Sequence, residues 1–199
     1  MTTRDRILDA AEQVMRTDGL ARSTTRKIAA AAGFSEATIY KHFASKEDLF
    51  VAVLGERLPP FVGLLRAANA DADARPVREQ LVEVVAGGLA FYEASMPIAG
   101  SVFAEPELLA RHSAALRARN AGPGKPVAIL AEFLRQRQQT GAIRSESDPG
   151  AAAALLLGAC FQRAFLNRFE AAPPMSPAER REVAASLVDT LWAGIAPDR

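Results

Sequence analysis

Between Thr24 and Lys46 the chain sets out side chains that could grip duplex DNA: Thr24, Thr25, Arg26, Ser35, Glu36, Ala37, Thr38, Tyr40, Lys41, His42 and Lys46. The chemistry open to such a set is recognition. Hydroxyls and a phenol reach phosphate oxygens and base edges, an ammonium neutralises a phosphate, and a guanidinium can offer two donors to a guanine. A small residue such as Ala37 lets a helix come close to a groove. Residues 20–46 carry Arg22, Arg26, Lys27, Lys41 and Lys46 against Glu36 alone. That local excess fits a nucleic-acid face, although a solvated patch would show it too. Charge alone does not decide between them; the helix pattern does.

Bond-making chemistry has little to work with. The chain has two histidines and one cysteine, and no HExxH, CxxC, P-loop or GxSxG pattern. His42 and His112 fall in different regions, so no catalytic residue, metal or cofactor is expected, and an enzyme is the weaker reading. Cys160 alone excludes an intrachain disulfide. No uncharged run reaches the roughly 18–20 residues that span a bilayer. Met1 to Arg6 are polar and lead into a helix, so neither a secretory signal nor a membrane partner is expected. The default expectation is cytoplasmic. Net charge is +1 and 49% of the residues are hydrophobic, enough for a proper core.

These side chains need helices to position them. Ile7, Leu8, Ala11, Val14 and Met15 recur at helical spacing and predict a first helix over Thr3–Asp18, closed by Gly19. Arg4 and Arg6 lie where an arm could touch phosphates or simply be solvated. Thr24 or Thr25 can cap a second helix, with Ile28, Ala29 and Ala32 inward and Gly33 ending it. Phe34 is expected in the core. Ser35 caps a short third helix, Glu36–Phe43, anchored by Ile39 and Phe43. Glu36 has two open roles: favouring the helix dipole, which we prefer, or accepting from a cytosine amine. His42 is equally open, as a phosphate contact or a packed core residue. Ser45 and Asp48 form a capping pattern for a fourth helix with Leu49, Phe50, Val53 and Leu54 as its stripe.

Gly19, Thr24-Thr25-Arg26, Ile28-Ala29, Ala32-Gly33, Ser35, Thr38-Ile39-Tyr40, His42-Phe43 and Ser45-Lys46-Glu47-Asp48-Leu49 keep unbroken spacing. In this the segment resembles the helix-turn-helix of TetR-type transcriptional repressors, over about the first quarter of the chain. The resemblance implies that Thr25, Ser35, Tyr40, His42 and Lys46 hold phosphates. Arg26, Glu36, Ala37, Thr38 and Lys41 sit where base-edge contacts occur. It implies an all-α fold of about nine to ten helices. Residues 1–48 would be the three-helix DNA-binding head, and 49–199 a helical effector-binding and dimerisation body.

In that body, Pro59-Pro60 must kink or stop the fourth helix near Leu58, as a hinge or as a passive bend. A restart over Phe61–Ala68 and a polar linker over 69–75 follow. Pro76 opens a helix to about Ser95, in which Gly87-Gly88 signals close packing or room for a ligand. Further helices are expected after Pro97, over 106–119 and 126–140, from Asp148-Pro149 to Phe169, and from the capping box at Ser176 to about Ile195. The resemblance implies an apolar pocket among the middle helices. Candidate lining residues are Phe61, Phe91, Tyr92, Met96, Phe103, His112, Phe133, Cys160, Gln162 and Arg163. Each has the alternative of being plain core or surface. It also implies a four-helix bundle between two copies, for which Leu155, Ala159, Leu187, Leu191 and Trp192 are candidates; completing the monomer core is the other possibility. The reading is a ligand-responsive regulator, a repressor that binds a palindromic operator as a homodimer and is released by a small apolar or aromatic effector. An activator of the same fold, or a helical interaction protein without specific DNA binding, are the alternatives.

Overall fold

The structure is a computed structural model of the chain. It describes residues 1–70 and 75–196, with backbone alone at Ser101 and Ala104. Among the described residues there are ten α-helices, one 3₁₀ helix and no strand. The chain divides into two compact units, Met1–Pro59 with Ala94–Gly122, and Pro60–Glu93 with the chain from Pro123 onward. This packing division is not the division at residue 48 read from the sequence, because α4 buries its apolar stripe in the first unit.

In the first unit, α1 (Thr3–Arg22) starts from a complete capping box between Thr2 and Asp5. It runs past the expected end at Asp18. Gly19 leaves helical space at φ 75°, and one further turn follows to Arg22. Ser23 is buried and donates to the Gly19 carbonyl at 2.7 Å, which fixes that bend. α2 (Thr25–Ala32) takes Thr24, not Thr25, as its cap. α3 is Glu36–His42 and α4 is Lys46–Glu56, capped by Ser45. Ile7, Leu8, Met15, Leu20, Ile28, Ile39, Leu49 and Phe50 form the core.

Two expectations for the N-terminus are corrected. Arg4 pairs with Glu56 at 2.6 Å and lies over the Phe43 ring. Arg6 donates to the Ala32 carbonyl at 3.1 Å and covers the Phe34 ring at 4.5 Å. Neither arginine belongs to a loose arm, and Phe34 is half-buried under a cation instead of sunk in the core. Arg57 ties the end of α4 back to α1 through Asp9 at 2.7 Å and Asp5 at 3.1 Å. Hydrogen bonds from the Thr2 side chain and backbone, followed by that from Arg57, hold the Asp5 carboxyl down at about 2. The unit is completed by the last turn of α6 (Val77–Ala99), a 3₁₀ helix over Gly100–Ala104, and α7 (Pro106–Ala118).

The helix expected to end near Ser95 runs on through Pro97 to Ala99, and the short helix expected after Pro97 is the 3₁₀ helix over Gly100–Ala104. A proline so near a helix end forfeits one backbone bond, and the chain then tightens into the 3₁₀ turn.

The second unit holds α5 (Phe61–Ala70), most of α6, α8 (Gly124–Gln139), α9 (Pro149–Phe169) and α10 (Pro177–Ile195). The expected linker over 69–75 begins inside α5, and its residues 71–74 lie outside the described residues. Helix α4 stops before Pro59-Pro60 and α5 starts after them, as the two prolines require. Leu65, Leu81, Val85, Leu89, Leu130, Phe133, Leu156, Leu157, Cys160 and Val188 make one core.

Gly87 and Gly88 mark close packing. A Cβ on Gly87 would run into the Leu64 side chain, and one on Gly88 would sit 3.3 Å from Phe61 and 3.4 Å from Cys160. By length and composition alone α6 and α9 reach the size of a membrane span, although charged residues interrupt both. Leu81, Val84, Val85 and Leu89 of α6, and Leu156, Leu157 and Cys160 of α9, are nevertheless buried in this core.

Candidate nucleic-acid interface

The interface is built on the turn between α2 and α3. Gly33 takes φ 72°, and the amides of Gly33 and Phe34 donate to the carbonyls of Ala30 and Ala29. A left-handed residue closes the helix in this way, and glycine does so without a Cβ clash. Ser35 then caps α3: its hydroxyl accepts from the Thr38 amide at 3.3 Å and shares a 2.9 Å bond with the Thr38 hydroxyl. Ile39 and Phe43 are buried and pin α3 to the head. Glu36, Ala37, Tyr40, Lys41 and His42 all remain exposed, with Thr38 half-buried. Tyr40 is 53% exposed, a large aromatic left in solvent.

His42 is exposed and is not a packed core residue. Arg26 is exposed on α2, and neither it nor Lys41 makes an ion pair among the described residues. The other cations are partly committed. Lys27 pairs with Asp18 at 2.9 Å, and Arg22 donates to the Asp18 carbonyl at 3.1 Å. Lys46 is half-buried and donates to the Ala21 carbonyl at 3.4 Å. Burial pushes its ammonium below the usual lysine range, against the opposing charges of Glu47 and Glu105.

Thr25 and Glu36 meet each other. Thr25 is buried, and its hydroxyl donates to the Glu36 carboxylate, while the Tyr40 phenol lies 3.4 Å from the same hydroxyl. Glu36 remains the first residue of α3, where a carboxylate favours the dipole, but its hydrogen bond goes to a side chain.

The candidate effector residues are not brought together as one group. Phe61, Phe91 and Tyr92 form an aromatic cluster in the second unit, with ring centroids 5.5–6.1 Å apart, extended by Phe161 at 5.8 Å from Tyr92. Cys160 adjoins it across Gly88 and donates to the Val85 carbonyl. Burial pushes the Tyr92 phenol and the Cys160 thiol up to about 12 each. Phe133 lies in the same unit's core beneath the Arg137 guanidinium, 4.6 Å away. Met96, Phe103 and His112 belong to the first unit. There Phe103 is exposed and His112 is buried edge-on against Phe50. Gln162 and Arg163 point into solvent from α9.

Two features were missed. Arg137 is only 2% exposed; it donates to Gln80 at 3.2 Å and to the Ala68 carbonyl. Its position continues the inward spacing of Leu130 and Leu134, a signal overridden by its charge. Phe161, Phe165 and Phe169 recur every four residues along α9 and stay exposed, as does Leu155 on the same helix. Of the expected dimer residues, Leu187, Leu191 and Trp192 are half-buried and pack on the core of their own chain.

Residues 7–53 match the family model described as bacterial regulatory proteins, tetR family, and residues 103–194 match the C-terminal domain of AefR-like transcriptional repressors. The HTH-type transcriptional repressor BepR of Brucella suis is 43% identical over 70 residues, which cover 35% of this chain and 34% of that protein. The matched stretch thus spans about a third of that relative's length. Similar folds extend along the whole chain. SmeT, the repressor of the Stenotrophomonas maltophilia multidrug efflux pump SmeDEF, superposes with a TM-score of 0.72 at 22% identity, covering 100% of this chain and 92% of its own. FadR of Bacillus subtilis, in complex with stearoyl-CoA, gives 0.70 at 20% identity, covering 96% and 98%. A helix-turn-helix head and a helical C-terminal part, each matched by a family model in the expected order, place the chain in the TetR family of bacterial regulatory proteins.

Proposed function

We propose that the chain is a ligand-responsive transcriptional repressor. It binds a palindromic operator as a homodimer and leaves it when a small apolar or aromatic effector occupies the helical body. The observation that carries the reading is the exposed face of α3: Glu36, Ala37, Tyr40, Lys41 and His42 stand outward while Ile39 and Phe43 hold the helix down. A helix so anchored, with a small residue at its centre and polar tips around it, fits a major groove. One such helix makes few base contacts. Two on a two-fold axis read half-sites roughly 34–36 Å apart.

The second copy is supported by α9, where Leu155 is 65% exposed, Phe165 50% and Phe169 81%. A row of large apolar groups in water is what a protein–protein face leaves uncovered in a single chain. The aromatic cluster around Tyr92 supports an apolar effector, and the acyl chain of the stearoyl-CoA in the FadR complex is of that character. Release follows if the effector prefers the arrangement that does not bind DNA. Such a regulator works in the cytosol, where its operator is.

The test is selection of duplexes from a randomised pool by the full chain, followed by a thermal-shift screen of small apolar compounds with and without the selected duplex. Enrichment of a two-fold symmetric sequence, and a compound that both stabilises the protein and releases the duplex, are the expected results. Enrichment of no sequence would overturn the reading.

A further inference from the structure

The hydroxyl of Thr25 has a single hydrogen, and it is given to Oε1 of Glu36. The Tyr40 phenol lies 3.4 Å from the Thr25 hydroxyl oxygen. These three side chains form a chain of polar contacts from a buried threonine to an exposed carboxylate at the edge of the proposed DNA face. Glu36 is the only carboxylate between residues 20 and 46. A negative charge on a face that meets phosphate opposes binding, so its place there needs another explanation. Ser35 already caps α3, and the favourable charge that Glu36 adds at the helix start does not account for its bond to Thr25.

Thr25 cannot donate to a phosphate and to Glu36 at once. We propose that Glu36 is a specificity-determining residue that acts through Thr25: in the free protein its carboxylate withholds the Thr25 hydroxyl from phosphate. Phosphate capture displaces the carboxylate. Only a sequence that presents an exocyclic amino group at that base edge, on cytosine or adenine, then gives it a new donor. On any other sequence the displaced carboxylate faces phosphate with no partner. Backbone-only binding is therefore weakened more than operator binding, and discrimination rises although absolute affinity falls. Tyr40 stays hydrogen-bonded to Thr25 in the free protein and is released in the same event. The inference rests on the DNA-binding reading above and assigns Glu36 a role that capping or simple repulsion would not give it.

The experiment compares the full chain with Glu36→Gln, Thr25→Val and the double variant at one fixed salt concentration. The probes are the duplex enriched by the wild-type chain and a random duplex of equal length. Glu36→Gln is expected to tighten the random duplex on the order of tenfold and the enriched duplex by less than about threefold, so that their ratio falls. In the Thr25→Val background the same change should have a much smaller effect on the random duplex, because no hydroxyl remains to be released. A selection repeated with Glu36→Gln should lose preference at one position in each half-site. Equal tightening on both duplexes, or an undiminished effect beside Thr25→Val, would overturn the proposal. If Thr25→Val melts early, Thr25→Ala provides the same comparison. Failure of the wild-type chain to enrich any sequence would remove the DNA-binding reading itself, a result separate from the other two.

Discussion

The imidazole of His112 on α7 meets the ring of Phe50 on α4 edge-on, with centroids 4.5 Å apart. Arg119 pairs with Asp48, and Arg111 lies 3.7 Å from Glu47, so two residues of α7 and the residue that caps its end hold the helix that follows the head. His112 is buried, and its Nδ1 has no hydrogen-bond partner among the described residues. Burial pushes its pKa below the usual histidine value, with Glu47 pulling the other way. The unfolded chain therefore binds the proton more tightly than the folded one. Stability from this group is complete above the unfolded pKa of about 6.5 and is lost as pH falls through it toward the lower folded value. The melting temperature should drop between pH 7 and pH 5, and His112→Leu should flatten that dependence. Equal slopes in thermal melts of the two proteins would show that the acid sensitivity lies elsewhere.

Gly87 and Gly88 should respond differently to added side chains. At Gly88 the obstacles are Phe61 and Cys160, both fully packed, so Gly88→Val should cost about 1–3 kcal/mol by overpacking. At Gly87 the obstacle is the tip of Leu64, a half-buried side chain that can swing aside. Gly87→Ala should be near neutral, because a gain of about 1 kcal/mol in helix propensity offsets that displacement. Urea denaturation of the two variants measures the contrast.

The exposed row on α9 predicts where a single charge separates two chains. Phe165→Glu or Phe169→Glu should weaken self-association on the order of tenfold or more while leaving the fold intact, since neither ring is buried in the single chain. Leu187→Glu should instead lower the melting temperature, because Leu187 packs on its own core. Sedimentation velocity and thermal melts on the same samples separate the two effects.

Tyr40 and Lys46 should also part company. Tyr40→Ala removes an exposed ring and is expected to weaken binding to the selected duplex about tenfold with an unchanged melting temperature. Lys46→Ala removes a half-buried stem and a hydrogen bond to the Ala21 carbonyl, so it should lower both affinity and melting temperature. Loss of affinity in Lys46→Ala with no change in melting would mean that its stem adds nothing to the packing of the head.

Local signals were legible wherever one residue type has one physical use. Ser35, Asp148 and Ser176 cap the helices that their spacing announced, Gly33 takes the left-handed turn, and Pro59-Pro60 part α4 from α5. The apolar periods of α1 to α4 placed Ile39 and Phe43 inward, and so placed Tyr40 and Lys41 outward. Boundaries were less legible. Gly19 bends α1 without ending it, because Ser23 bonds back across the bend, and Pro97 sits inside α6, which runs on to Ala99 at the loss of one backbone bond.

The sequence by itself determined an all-helical chain with a helix-turn-helix near its start, since capping, glycine placement and apolar period act over a few residues and are written in order along the chain. Partners distant along the chain were decided only by the tertiary structure. Arg4 and Arg6 could be solvated or bound until Glu56 and the Ala32 carbonyl came within reach. Arg137 reads as a surface cation until Gln80 and Phe133 enclose it. Glu36 reads as a dipole charge until the fold brings Thr25 from another helix to its carboxylate. Spacing specifies which face a side chain takes, whereas the group it meets there is fixed by the packing of helices that the spacing does not order in space.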